Sequence, residues 1–104
     1  MRFRRARFRE VIDRQVDLFV REHGDVIEEA TAKLRIYNSA GRDDAEEAYG
    51  DYLDAVETGT EILAGMRDTV AQTLGEPEAE RYRAEFDRAV AKRLPEYALE
   101  IENR

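Results

Sequence analysis

The chain has 104 residues, a net charge of −7 and no cysteine. The missing cysteine excludes disulfides, thiolate metal sites and cysteine nucleophiles, and this length fits one domain. Charged residues make up 39% of the sequence and only two residues are proline, a composition that favours helix over strand. No segment approaches the roughly 18 apolar residues that a membrane span needs. We therefore expect a cytoplasmic protein, in keeping with the absence of cysteine.

Charge is distributed unevenly along the chain. Residues 43–80 carry twelve acids against one base, a charge of −11, while residues 1–9 carry five bases and no acid, a charge of +5. We treat residues 1–9 as a basic N-terminal arm and residues 8–104 as a single helical bundle domain. The arm is a candidate contact for an anionic partner, either nucleic acid or an acidic membrane surface. Its basic side chains are Arg2, Arg4, Arg5, Arg7 and Arg9.

A first long helix is predicted over residues 8–38, where apolar residues recur about every three to four positions. His23 and Gly24 lie in the middle of this pattern, and glycine inside a helix costs about 1 kcal/mol relative to alanine. The apolar phase continues unshifted across both residues. We therefore predict one helix that bends there, with a break into two helices as the alternative. Gly41, with a positive φ, is expected to end it.

A second long helix is predicted over residues 43–74, with Asp43 and Asp44 supplying the N-cap oxygens. Its apolar stripe contains the expected core or interface residues Tyr49, Tyr52, Val56, Leu63 and Met66. Its opposite side is acidic and contains Asp43, Glu47, Asp51, Asp54 and Glu61. This acidic face is a candidate surface for a protein partner, although a simply solvated helix face is the common alternative.

A shorter third helix is predicted over residues 77–94. Pro95 removes a backbone donor and disfavours helical geometry at the preceding residue, so we expect a kink there or a separate helix over residues 95–102. The predicted fold is all-α, an antiparallel up-down three-helix bundle in which the third helix is the shortest. Some apolar surface of the two long helices then stays uncovered, which favours a homodimer.

The short turn between the long helices makes them antiparallel and sets their register. With the turn near residue 41, residues on the two helices that face each other have numbers that sum to about 82. This register pairs His23 with Gly59, where the missing side chain leaves room for the imidazole. It also places Arg67 near Asp13 and Asp17, which are partners for a charge at the apolar margin.

The residue types needed for catalysis are scarce. A dinuclear carboxylate centre needs Glu-x-x-His pairs, whereas His23 is the single histidine and Val20 lies three residues before it. The Asp-x-Asp-x-Asp-Gly calcium loop and the Gly-x-Ser-x-Gly elbow are both missing. We therefore predict no catalytic residue, no metal, no cofactor and no small-molecule substrate. An enzyme or metal carrier centred on His23 and the carboxylates of the second helix is the alternative.

These patterns favour a non-enzymatic helical interaction protein that self-associates through its apolar stripes and presents an acidic helix face. The main alternative is the binding of nucleic acid or an acidic membrane surface through the arginine-rich arm. The two hypotheses differ in their expected salt dependence, because arginine–phosphate contacts weaken steeply as salt rises.

Overall fold

A computed structural model describes the backbone of residues 2–104 and the side chains from Phe8 onward. Within this range the chain is all-helical and contains no strand, which confirms the predicted class. It forms five α-helices rather than three, with one 3-10 turn at Pro95–Tyr97. The α-helices are α1 (Arg2–Glu22), α2 (Gly24–Ser39), α3 (Ala45–Ala71), α4 (Glu78–Arg93) and α5 (Ala98–Glu102).

The prediction of one continuous helix over residues 8–38 is wrong. The chain leaves helical geometry at His23, whose ψ of 34° is far from the helical value of about −42°. The His23 amide still donates to the Phe19 carbonyl, and the His23 carbonyl accepts from the amide of Val26 at 3.0 Å. One helix therefore ends and the next begins at this residue. A single non-helical residue does not shift the apolar phase, so the periodicity could not reveal the break.

Two predicted helix-end signals are also wrong. No residue between 2 and 104 has a positive φ, and α2 ends at Ala40 in an extended conformation (φ −71°, ψ 143°) rather than at Gly41. Asp44 precedes α3 but makes no capping hydrogen bond through its side chain. Its φ of −104° and ψ of −7° lack the extended backbone that usually directs a capping oxygen. A backbone bond from Asp44 to Gly41 closes the turn instead.

The boundaries of α3 and α4 agree with the sequence prediction to within three residues, whereas α1 begins at Arg2, six residues before the predicted start. Helix α3 covers residues 45–71 against the predicted 43–74, and α4 covers residues 78–93 against the predicted 77–94. Pro95 separates α4 from the 3-10 turn and α5, as expected from its missing donor. The preceding residue, Leu94, has a non-helical ψ of 66°.

The molecule is elongated, with extents of 53 × 24 × 19 Å, and its two halves differ in the number of packed helices. Helices α2 and α3 form an antiparallel hairpin, and within the described chain α2 packs only on α3 and on its junction with α1. We call α2 with residues 45–58 of α3 the distal half. The proximal half contains α1, residues 59–71 of α3, α4, the 3-10 turn and α5, which pack on one another.

The large buried side chains lie mostly in the proximal half. Those fully buried are Val16, Phe19, Thr60, Leu63, Tyr82, Phe86, Val90, Tyr97 and Ile101. The buried residues of the distal half are small, namely Ala30, Ala48 and Val56. Because burial of apolar area is the main stabilising term, the proximal half is the principal folding core and the distal half extends from it as a two-helix projection.

Tyr97 occupies the space that Gly59 leaves on α3. A Cβ added at Gly59 would lie 2.5 Å from Cε1 of Tyr97, and the Tyr97 ring is also in edge-to-face contact with Phe19 at 5.8 Å. The imidazole that was predicted to fill this space instead stacks on Phe19, with ring centroids 5.6 Å apart. Gly59 therefore does allow an aromatic ring to pack closely against α3, but this ring is that of Tyr97 and not that of His23.

Replacing Gly59 with alanine should destabilise the fold by about 1–3 kcal/mol, because the new methyl group overpacks against the buried Tyr97 ring. Gly65→Ala is the matched control, since no atom lies within 4 Å of a Cβ at Gly65. It should stabilise α3 by about 0.5–1 kcal/mol through helix propensity. Urea unfolding followed by circular dichroism measures both variants, and effects of the same sign would contradict the Tyr97–Gly59 contact.

Candidate functional site

Exposed apolar side chains gather on one side of the distal half. Leu34, Tyr49 and Leu53 are 36%, 44% and 41% exposed, and Tyr52 beside them is half-buried. Leu34 and Tyr52 line a groove that ends at Pro95 and Glu96. We call Leu34, Tyr49, Tyr52 and Leu53 the distal apolar face. Large exposed apolar surfaces are typical of interfaces.

The distal apolar face is exposed because α4 and α5, the third layer of helices that covers α3 in the proximal half, do not extend to it. Seven α3 residues at helical spacing form one stripe, namely Tyr49, Leu53, Val56, Thr60, Ala64, Arg67 and Ala71. All of them from Val56 onward are buried, whereas Tyr49 and Leu53 are exposed. Helices α4 and α5 pack against α3 in the proximal half, and α4 ends at Arg93. The same stripe therefore changes from core to surface where α4 ends.

Three tyrosines connect the two helices at this face. The ring centroids of Tyr37 and Tyr49 lie 5.1 Å apart across the hairpin, and those of Tyr49 and Tyr52 lie 6.4 Å apart. Burial raises the pKa of Tyr52, and the nearby charge of Glu96 raises it further. Tyrosine combines a large apolar ring with a polar tip and is enriched at interfaces. Of the other predicted stripe residues, Leu63 is buried and Met66 is half-buried.

The predicted acidic residues Asp43, Glu47, Asp51, Asp54 and Glu61 are all exposed. Asp51 and Asp54 line a shallow groove with Glu29 and Lys33 on the side of the hairpin away from the distal apolar face. Glu61 forms an ion pair with Arg104 at 3.5 Å. Among the described residues, no cluster of three or more histidine and carboxylate side chains is placed to hold a metal ion.

The predicted basic arm begins α1, since the helical backbone starts at Arg2. The side chains of Arg2, Arg4, Arg5 and Arg7 lie outside the described side chains, and Arg9 is exposed. Phe8 anchors this end of α1, because its ring contacts that of Tyr82 edge-to-face at 5.4 Å. Binding of an anionic partner through the arm stays a prediction.

Arg67 is the most buried charged group described, with an exposed fraction of 2%. Its Nε donates to Oδ1 of Asp68 at 2.9 Å, and its Nη1 donates to Oδ1 of Asp87 at 2.9 Å and to the carbonyl of Ile101 at 3.2 Å. Arg83 also donates to Asp68, at 3.1 Å. The guanidinium thus joins α3, α4 and α5, and its hydrogen bonds offset the cost of burying its charge.

The prediction that Arg67 lies near Asp13 and Asp17 is wrong. Asp17 pairs with Arg93 of α4 at 2.6 Å, and the partners of Arg67 come from its own helix and from α4. The cause is the break at His23. The register used for the prediction requires a straight first helix along the whole of α3, whereas α1 packs mainly along α4.

The pKa values of the two carboxylates around Arg67 shift in opposite directions. Burial raises the pKa of Asp68, but hydrogen bonds and charges from Arg67 and Arg83 outweigh it, so the pKa is below the ordinary 3.8. At Asp87, burial is the larger effect and Arg67 offsets it only in part. With Glu102 adding repulsion, the Asp87 pKa is raised. Arg67 itself stays charged, because its two carboxylate partners more than offset its burial and its pKa is raised.

Two buried tyrosines have hydroxyl groups with no hydrogen-bond partner among the described residues, Tyr82 and Tyr97. Burial is the main cause that raises the pKa of each to about 12. Both phenols are therefore neutral near pH 7, and their role in this region is packing. His23 is half-buried on Phe19, and the alternative that centres an enzyme on it stays a prediction.

Comparison of the chain with protein-family models, with curated proteins and with solved structures gave no match. None of the described helices combines the length and the apolarity needed to cross a membrane. The distal apolar face is a surface of the described chain on which several large apolar side chains stay exposed.

Truncating Arg67 to alanine should lower the free energy of unfolding by about 3–5 kcal/mol, the cost of removing one member of a buried ion pair. Arg83→Ala is the matched control because the Arg83 side chain is 37% exposed, and exposed pairs contribute about 0–1 kcal/mol. Chemical unfolding compares the two variants. Equal losses would show that Arg67 does not act as the buried link between α3, α4 and α5.

The stability of the wild type should fall in acid as Asp68 becomes protonated. The folded-state pKa of Asp68 is lowered, so its contribution is complete above the unfolded-state pKa and is lost as the pH falls through the folded-state value. Asp87, whose pKa is raised, contributes with the opposite sign. Asp68→Asn should therefore reduce the acid-induced loss of stability. A series of melting temperatures between about pH 2 and pH 7 tests this, and an unchanged acid slope would contradict it.

Proposed function

We propose that this protein is a non-enzymatic helical interaction protein that self-associates as a homodimer through the distal apolar face. The observation that supports this proposal best is the α3 stripe, which is buried from Val56 onward and exposed at Tyr49 and Leu53. Leu34, Tyr49 and Leu53 supply large apolar side chains at this surface, and the proximal half buries the equivalent positions under α4 and α5.

A second copy of the chain is the simplest cover for this face. In an isologous contact each protomer contributes the same surface, so two distal hairpins would form a four-helix arrangement with a shared apolar core. The distal half contains only small buried residues of its own. The shared core would therefore supply the large-residue packing that this half lacks.

The acidic side of the hairpin stays available in this arrangement. Asp51 and Asp54 line a groove with Glu29, on the side away from the distal apolar face, and we propose that this acidic surface is presented to a protein partner. A cytoplasmic location, expected from the cysteine-free composition, completes the proposal. No cofactor or small-molecule substrate is part of it.

Size-exclusion chromatography with light scattering tests the homodimer. The wild type should have about twice the 12.1-kDa mass of the chain, with dissociation on dilution. The double variant Leu34→Gln and Leu53→Gln should be monomeric, because it places amides at the centre of the apolar contact. Ile36→Gln is the matched control, since Ile36 is 54% exposed but lies beside Asp44 and Glu47 on the other side of the hairpin.

The control variant should remain a dimer with native helix content. A wild-type monomer at high micromolar concentration would contradict the homodimer. Equal weakening by Ile36→Gln and by the double variant would contradict the assignment of the interface to the distal apolar face.

A further inference from the structure

Carboxylates border the distal apolar face. Glu46 and Glu57 lie seven residues before and four residues after Leu53, which places them on its side of α3, and both are exposed. Glu96 lines the proximal end of the groove. Helix α3 has no lysine or arginine before Arg67. The apolar centre of the face therefore has an acidic rim along α3 and at its proximal end.

The basic groups near this rim are few and lie at its edges. Arg104 approaches Glu57 at 3.6 Å at the proximal border, and Lys33 pairs with Glu29 on the opposite side of the hairpin. Arg35 follows Leu34 by one residue, about 100° further around α2. These positions leave the carboxylate of Glu46 and the rim around Leu53 without a neutralising base from α3.

The uncovered distal apolar face has the length of a single helix. Helix α2 has 16 residues, so the distal half is about 24 Å long at 1.5 Å per residue. Helix α4 covers the proximal part of the same α3 stripe and ends next to the groove, where Pro95 and Glu96 close it. A helix of about 16 residues placed on the distal apolar face would continue the layer that α4 begins.

We propose that the distal apolar face is the docking site of a basic amphipathic helix from a partner protein, which displaces the second copy of this chain. The inference rests on the proposed function in using the same face. Two copies bring like-charged rims together, whereas a basic helix pairs its charges with Glu46 and Glu96 while its apolar side covers Tyr49 and Leu53. Opposite charge at the rim favours the basic helix over a second copy, and an amphipathic helix in an apolar groove is a recurring mode of recognition.

Two synthetic peptides of about 16 residues test the proposal. Both carry leucine at helical spacing on one side, and the remaining positions are lysine in one peptide and glutamate in the other. The lysine peptide should bind at least about tenfold more tightly than the glutamate peptide in fluorescence anisotropy at physiological salt. Its binding should weaken by about tenfold or more with Leu53→Gln and should be unchanged with Ile36→Gln, which leaves the charge of the protein the same.

Light scattering of the wild type with the lysine peptide should show a complex of one chain with one peptide in place of the dimer. Equal binding of the two peptides, or an equal effect of the two variants, would overturn the basic-helix proposal. A dimer whose mass does not change when the lysine peptide is added would overturn this proposal but would agree with the homodimer. A monomer whose binding depends on Leu53 would overturn the homodimer and support the docking site.

Discussion

The contact between the Tyr97 ring and the backbone at Gly59 fixes where the third layer of helices ends. A side chain at position 59 would collide with the ring, so the glycine allows the C-terminal segment to enter between α1 and α3. Tyr97 then packs on Phe19, and the 3-10 turn directs α5 back along the proximal half. On α3 beyond this contact, toward the turn at residue 41, the packed helix is α2, and the C-terminal segment contributes the Arg104–Glu57 pair and the Pro95 end of the groove beside Tyr52.

The proximal half secures this arrangement with a buried polar link. Arg67 binds carboxylates of α3 and α4 and the carbonyl of Ile101 in α5, and Ile101 is itself fully buried. Such links are stabilising only when every charge is hydrogen-bonded, a condition that Asp68 and Asp87 meet at Arg67. The proximal half therefore has a well-packed core, and four of the seven large apolar residues that stay exposed among those described, namely Leu34, Ile36, Tyr49 and Leu53, lie on the distal hairpin.

The sequence predicted those features that depend on local signals. Apolar periodicity located α3 and α4 to within three residues, and Pro95 located the end of α4. It gave the break at His23 only as the alternative, because one non-helical residue leaves the phase unchanged, and the preferred continuous helix misplaced Arg67 beside Asp17. The glycine at position 59 on an apolar stripe indicated that another residue packs closely against α3 there. That this residue is Tyr97 and not His23 depends on long-range packing. The short third helix predicted that some apolar surface stays uncovered. Which residues form that surface depends on where α4 packs along α3, and the sequence does not show this.

Hydrogen–deuterium exchange at low and high protein concentration tests most directly whether the distal half is the interaction surface. Amides that are protected by an interface exchange more slowly as the interface forms. We expect added protection at high concentration to be confined to residues 30–38 and 48–56, with no change in α1 or α4. Protection that appears in α1 or α4 instead, or exchange that does not depend on concentration, would contradict it.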